Sequence, residues 1–291
     1  MKKLFVGWAL LSGALLVAGV SPARGQDIST DTDDDSPVTS CDQVHIRFDH
    51  RSPVRDEQDF TIPKSQAPRL EARPSENGGI HVQGWDRDEY QIKACKAAED
   101  SSDLSRISVS VNGGRVEVKG PSHEKSWVVY LLIRAPRDAA LDLETENGDI
   151  SLRDLNGKIE ARTTNGPIGL WQCGGEIRAK AENGPISFDG NSGSLHLETE
   201  NGPLSVRLTG NRWDGAGLEA RTENGPLTLK VPHEFTSGIH VEATGYSPFN
   251  CEAKACDDAH GTWGRKHHGV DLGSGIALVR MSTVNGPVSI E

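Results

Sequence analysis

The sequence is short of positive charge: 31 Lys and Arg against 42 Asp and Glu leave a formal net charge of -11. That balance excludes the basic face a nucleic acid needs, and it disfavours an anionic lipid surface. Net acidity also keeps an exported chain soluble. Beyond Val20 no stretch is long and apolar enough to span a bilayer. There is no Ser-His-Asp order, no Gly-x-Ser-x-Gly and no phosphate-binding glycine loop. The usual sequence marks of hydrolysis and nucleotide chemistry are therefore missing. We read the chain as a non-enzyme that needs no cofactor. Cysteine is sparse too, and none follows the first apolar run closely enough to become a lipid-bearing N-terminus.

What is present begins with an export signal. Lys2 and Lys3 precede the apolar run Leu4 to Val20, and Ala23-Arg24-Gly25 is a small-x-small cleavage site. Cleavage after Gly25 takes the net charge to about -14. An uncleaved anchor is the alternative, and the Ser21-Pro22-Ala23 break argues against it. Residues 26–40 are rich in Asp, Ser and Thr and read as an acidic disordered spacer. An exported chain can oxidise its cysteines. Of the five, Cys41 is expected to pair with Cys95 and Cys251 with Cys256, leaving Cys173 free; spacing alone leaves other connectivities open.

The dominant feature is a returning Asn-Gly. It stands at Asn147-Gly148, Asn165-Gly166, Asn183-Gly184 and Asn201-Gly202, each 18 residues after the last, then at Asn224-Gly225 and Asn285-Gly286. The unit divides into two nonapeptides. Counting Asn-Gly as positions 1 and 2, position 4 is Ile150, Ile159, Ile168, Ile177, Ile186, Leu195, Leu204, Leu218, Leu227 or Val288, never polar. Position 6 is Leu152, Leu170, Phe188, Val206, Leu229 or Ile290 in one half and mostly Ala in the other. Positions 5 and 7 are mostly polar. Alternation of this kind gives one short strand per nonapeptide with positions 4 and 6 inward. The Asn-Gly corner is expected to need a positive φ, which Gly and Asn tolerate best.

A hairpin is the common reading of Asn-Gly. A fixed period kept for coil after coil instead predicts an all-β, single-stranded parallel β-helix or β-solenoid, with about 18 residues and two short strands per coil. Regular coils are placed over 144–231, irregular opening coils over 41–143, a long excursion over 245–275 and a closing coil over 276–291. Further strands are expected at Gly79 to Val82, Ile107 to Val111, Val116 to Val118 and Trp127 to Ile133. Five extra residues near Gly210 to Gly217 bulge from a turn.

Four features give the chain a likeness. They are the strand Val128 to Ala135 ending in Ala-Pro, the phrase Thr-Glu-Asn-Gly-x-Ile, the pair Val231-Pro232, and the closing Thr-Val-Asn-Gly-Pro-Val-Ser-Ile. Over about residues 41–291 the chain resembles the bacterial putative-adhesin domain proteins of unknown function, related to head-GIN-type adhesin domains. The resemblance implies a right-handed parallel β-helix-like fold, an envelope or extracellular setting and no known catalytic residues.

Three binding chemistries can be weighed. Calcium β-rolls need Asp at position 6, which is apolar here; the row Glu146, Glu182, Glu200 and Glu223 is the remaining cation candidate, interrupted by Thr164. Asp257, Asp258, His260, His267 and His268 gather near a cysteine pair, without a zinc spacing. No metal site is assigned. Trp171, at an outward position 7, and Trp213, in the five-residue bulge, are candidate sugar-stacking residues. The competing expectation is that Trp213 folds over Trp171 and covers a coil. The function expected is an exported non-catalytic scaffold or adhesin whose partner is a surface protein or glycan. The alternatives are a carbohydrate-binding module and, further off, a polysaccharide-active enzyme.

Overall fold

The computed structural model describes residues 26–30, 37–48, 52–122, 126–244, 248–257, 259–263 and 267–291. The expected signal, 1–25, lies outside them. The described residues are all-β: a 12-stranded sheet, an 11-stranded sheet and a separate two-stranded pair. The only α-helix among them is Ser101–Leu104. No described helix is long and apolar enough to cross a membrane.

Consecutive strands of the repeat go to different sheets. Ala140–Thr145 and Lys158–Thr163 lie in the 12-stranded sheet; Ile150–Arg153 and Ile168–Trp171 lie in the 11-stranded one. Hairpin pairing of neighbours therefore does not occur here. Pairing is parallel between strands one repeat apart. One row runs Ile150, Ile168, Ile186, Leu204, Leu227, Val288. The other runs Ile159, Ile177, Leu195, Leu218, Val279. Every member is buried, and both rows belong to one core shared by the two sheets. Each such side chain contributes about 1.5–3 kcal/mol by leaving water. Bulky Leu152, Leu170, Phe188 and Val206 from one sheet share that core with Ala161, Ala179 and Ala220 from the other, which keeps the two walls close.

The Asn-Gly corner has a different cause from the one expected. None of its Asn or Gly residues has a positive φ. A methyl group on Gly166 would overlap the carbonyl oxygen of Gly148, one on Gly184 that of Gly166, and one on Gly225 that of Gly202. Glycine is required because successive corners stack backbone on backbone. Left-handed residues occupy the opposite corner, at Asp154 (φ 56°), Gln172 (φ 51°), Gly175 (φ 80°) and Gly193 (φ 108°). Inside the Asn-Gly corner, buried threonines accept the task of satisfying turn carbonyls: Thr145 Oγ1 donates to Gly148 O at 2.7 Å and Thr199 Oγ1 to Gly184 O at 2.8 Å.

Outside that corner the asparagines form one continuous ladder. Asn147 donates to Asn77, Asn165 to Asn147, Asn183 to Asn165, Asn201 to Asn183, Asn224 to Asn201 and Asn285 to Asn224, at 2.8–3.1 Å. Asn77 extends the row into a segment that the 18-residue period does not reach. Arg69–Ala72 and Ile80–Trp85 flank it, pairing in parallel with Ala140–Thr145 and Ile150–Arg153.

The irregular parts depart from expectation in three places. First, Gln26–Thr30, in the segment read as a disordered spacer, is a strand antiparallel to Val44–Phe48. Val44, Ile46 and Phe48 bury against Val128, Tyr130 and Leu132. These three face away from the main core, so alternate residues of Trp127–Pro136 serve two cores. Second, residues 245–275 add strands. Phe249–Cys251 pairs with Val288–Ile290, and His267–Leu272 pairs with both Ser237–Thr244 and His260–Trp263. Third, the segment expected as a closing coil does not lie at the edge of its sheet. Ser274–Asn285 lies between Asp214–Asn224 and Ser237–Thr244, so the last segment of the chain fills an interior position.

The extra residues before Gly217 are absorbed by a register shift where Ser192 faces Asp214 and Ser194 faces Gly217. The disulfides Cys41–Cys95 and Cys251–Cys256 are formed, with Cα separations of 5.4 and 5.9 Å, and Cys173 is free and buried.

Candidate functional site

In the 11-stranded sheet, residues that alternate with the core face outward. Register places Arg134 beside Gln83, Gln83 beside Arg153, and Arg153 beside Trp171. Their neighbours Ile133, Val82, Leu152 and Leu170 are all in the core. A parallel file of small residues, Ser151, Gly169, Ser187 and Ser205, runs alongside.

Trp171 is half-buried. A methyl on Gly169 would overlap its indole, so the ring folds back along its own strand over the bare glycine. The Arg153 guanidinium carbon sits 4.9 Å from the ring centroid, a cation–π contact. Arg153 Nε is buried without a hydrogen-bond partner. Trp85, two residues beyond Gln83 on the same face, is approached by Arg87 at 4.9 Å and Arg134 at 5.9 Å. Neither Arg134 nor Arg153 has a carboxylate partner among the described residues. Further along the file the charges compensate: Arg207 pairs with Asp189 at 3.1 Å and Lys230 with Glu291 at 3.4 Å.

Trp213 is placed differently from either expectation. It is 4 % exposed, its ring centroid is 5.9 Å from that of Phe188, and its Nε1 donates to Gly193 O at 3.1 Å. The bulge thus turns its aromatic residue into the core, and Arg153, not Trp213, contacts the Trp171 ring.

Of the acidic and histidine candidates, Glu200 pairs with Lys180 at 2.9 Å. Asp258 and the side chains of His260 and His267 lie outside the described residues. No group of three or more His, Cys, Asp or Glu that could hold a metal is found among the described residues.

One polar cluster escaped sequence reasoning. Asp149 takes the place that Pro167, Pro185 and Pro203 hold in later coils. It accepts from His81 Nε2 at 2.5 Å and from the Tyr130 hydroxyl. Burial pushes the Tyr130 hydroxyl well up, and the Asp149 charge adds to this. Burial also raises Asp149, but the His81 and Tyr130 hydrogen bonds outweigh it and hold the carboxyl below its ordinary value. A phenol held neutral beside a carboxylate held ionised is a satisfied structural lock rather than an acid–base pair poised near neutrality. It ties the corner of Asn147-Gly148 to the strand beneath the N-terminal pair. The missing proline was its sequence signal.

A shallow groove of about 470 Å³ crosses the other sheet, where the bulge and the closing segment start; Arg178, His196, Glu219 and Arg280 line it. Its charges are mutually paired in part, Arg178 with Glu176 at 2.6 Å and His196 with Glu219 at 3.4 Å.

No protein-family model matches the chain, and no curated protein matches it. It is similar to solved structures at low identity. A putative cell adhesion protein from Clostridium sporogenes is 11% identical with a TM-score of 0.32, covering 82% of this chain and 99% of that one. A putative adhesin from Bacteroides fragilis is 11% identical at 0.29, covering 82% and 97%. A putative lipid binding protein from Parabacteroides distasonis is 10% identical at 0.32, covering 81% and 97%. With identity this low, function has to be read from the residues themselves.

Proposed function

We propose that this chain is an exported, non-catalytic β-solenoid that acts as an adhesin-like scaffold at a bacterial envelope. The Asn ladder from Asn77 to Asn285 carries the reading. Its corner amides bond to one another, coil after coil, and the threonines behind them bond to turn carbonyls. The repeat therefore uses its polar groups to hold register, which suits a stiff rod better than a reacting site. In this reading 1–25 is a removed signal, and one domain over 41–291 holds the coils. Two disulfides suit an oxidising compartment. The partner is a surface protein or glycan. Expression of the whole chain in a bacterial host tests it: a mature protein beginning near Gln26 in the envelope or medium is expected, and an intact chain in the cytosol contradicts it.

The second reading, a carbohydrate-binding module, is favoured by the Trp171 indole laid over Gly169 on an outer face. Pulldown on envelope glycans, with Trp171→Ala as the active control and Trp213→Ala as a stability control, separates it from a protein partner.

A further inference from the structure

Three observations converge on the outer face of the 11-stranded sheet. The first is charge. In a chain of net charge -11, Arg134 and Arg153 have no carboxylate partner among the described residues, whereas Arg207 and Lys230 in the same file do. Both guanidiniums lie against an indole and not against a carboxylate among the described residues, and a guanidinium fork suits a bidentate carboxylate ligand. The second is aromatic surface. Trp171 and Trp85 lie on this face, each with a guanidinium against its ring. The third is hydrogen-bonding surface: Gln83 separates the two arginines, and Ser151 and Ser187 flank Gly169 beneath the Trp171 ring.

Geometry limits the ligand. Arg134 and Arg153 are two strands apart, about 9.6 Å at the usual strand spacing. Trp85 and Trp171 are likewise two strands apart and offset by two residues along the strand. The strip runs across the strands in the order Arg134, Gln83, Arg153, Trp171: cation, amide, cation, ring. A run of this kind fits an extended chain that carries carboxylates at intervals, with hydroxyls between them and apolar ring faces below.

We propose that this strip binds an acidic carbohydrate chain, with uronate carboxylates on Arg134 and Arg153, sugar faces on Trp171 and Trp85, and hydroxyls on Gln83, Ser151 and Ser187. The proposal deepens the carbohydrate-binding reading above by naming the sugar class and the residues. A guanidinium fork meets a carboxylate with two parallel hydrogen bonds, a match a neutral glycan cannot make. An anionic bilayer would meet the same arginines, but the serine file suits a hydroxylated chain better, and the exposed large apolar side chains among the described residues, Val54 and Ile276, lie outside the strip.

The test is titration of the purified mature chain with oligogalacturonate, followed by Trp fluorescence and calorimetry. Neutral cello-oligosaccharide, phosphatidylglycerol vesicles and single-stranded DNA are run beside it. Saturable binding of oligogalacturonate that weakens with salt is expected. Binding should weaken about tenfold in Arg153→Gln and again in Arg134→Gln, as loss of one charge-assisted contact implies. Trp171→Leu should diminish the fluorescence response, leaving the part due to Trp85. Unchanged thermal unfolding of these exposed-face variants keeps the comparison valid, and a Lys230→Gln control should bind as wild type. Equal binding of the neutral oligosaccharide, lost in Trp171→Leu, would keep the carbohydrate reading and overturn the acidic one. Binding of no oligosaccharide would overturn both. Equal capture of vesicles or DNA, insensitive to Trp171→Leu, would reduce the strip to a general anion patch.

Discussion

The side-chain amide of Asn285 donates to Asn224 Oδ1 at 3.0 Å, although 61 residues separate them. The chain leaves the repeat after Leu227–Lys230, adds outer strands to both sheets, and returns to pair directly with the strands it left. The ladder therefore records spatial order where sequence order fails. Removal of residues 274–291 would open a slot between Asp214–Asn224 and Ser237–Thr244 and leave each paired on one side only. Such a truncation should lose cooperative unfolding and expose core surface to a dye such as ANS; retention of a sharp transition would show that residues 274–291 are dispensable.

The cause of the Asn-Gly corner can be separated by two substitutions. If a positive φ were required, Gly184→Asn would be tolerated, since Asn adopts that conformation best after Gly. The stacking of Gly184 on the Gly166 carbonyl predicts instead that Gly184→Asn and Gly184→Ala are both severe, each costing several kcal/mol as coils are pushed apart. At Gly113 (φ 56°) a methyl meets nothing within 4 Å, so Gly113→Ala should cost only about 1 kcal/mol, from conformation alone. Denaturant midpoints measure all three.

Breaking the ladder side chain by side chain should be milder. Asn183→Ala frees Asn165 Oδ1 and the Asn201 amide, both exposed to water, so the loss should be about 0.5–1.5 kcal/mol. A cost as large as that of Gly184→Ala would mean that the amides, not the backbone stacking, hold the coils.

Trp213 and Trp171 should behave oppositely. Trp213 is buried against Phe188, and truncation to Ala should cost about 3–5 kcal/mol. Trp171→Ala on the outer face should cost less than about 1 kcal/mol. Thermal unfolding of the two variants decides this.

The Asp149 lock sets a pH window. Its carboxyl lies below the ordinary 3.8, so the stability it contributes is complete above that value and is lost as pH falls through the folded value. The Tyr130 hydroxyl lies well above the ordinary 10.0, so the native state resists its ionisation and loses stability as pH rises past 10.0. Tyr130→Phe should flatten the alkaline limb, leaving the parts due to Tyr90, raised by burial, and to Lys93 and Lys180, raised by their carboxylate partners. Urea unfolding at pH 7, 9 and 11 is the measurement, and an unchanged alkaline slope would show that Tyr130 ionises freely.

What the sequence made legible was periodic. Ile150, Ile168 and Ile186 announce their strand and face because the same position recurs at fixed spacing. Where the repeat stops, the signal stops: Val54–Pro63 and Glu89–Ala98 pair antiparallel along their whole length, with no corner motif to mark them. Gln26–Thr30 was hidden by acidic neighbours that make the segment look unable to fold. The strip around Arg153 was half visible. Trp171 could be placed outward by its position, but Gln83 and Arg134, which share its file two and three strands away, stand 88 and 37 residues from it in sequence, an alignment that only the topology creates. The Asn-Gly corner was read at the right place for the wrong reason, because the same dipeptide serves a left-handed turn and a stacked backbone equally well.

Register decides which side chains face outward and which become neighbours, so the most direct test is a nuclear Overhauser measurement of cross-strand contacts. Contacts between Ile168 and Ile186, and between Ile186 and Leu204, with no antiparallel contacts between Ile186–Gly190 and Ser192–Thr199, are the predicted result. Antiparallel contacts between those consecutive strands would contradict the parallel register and the binding strip built on it.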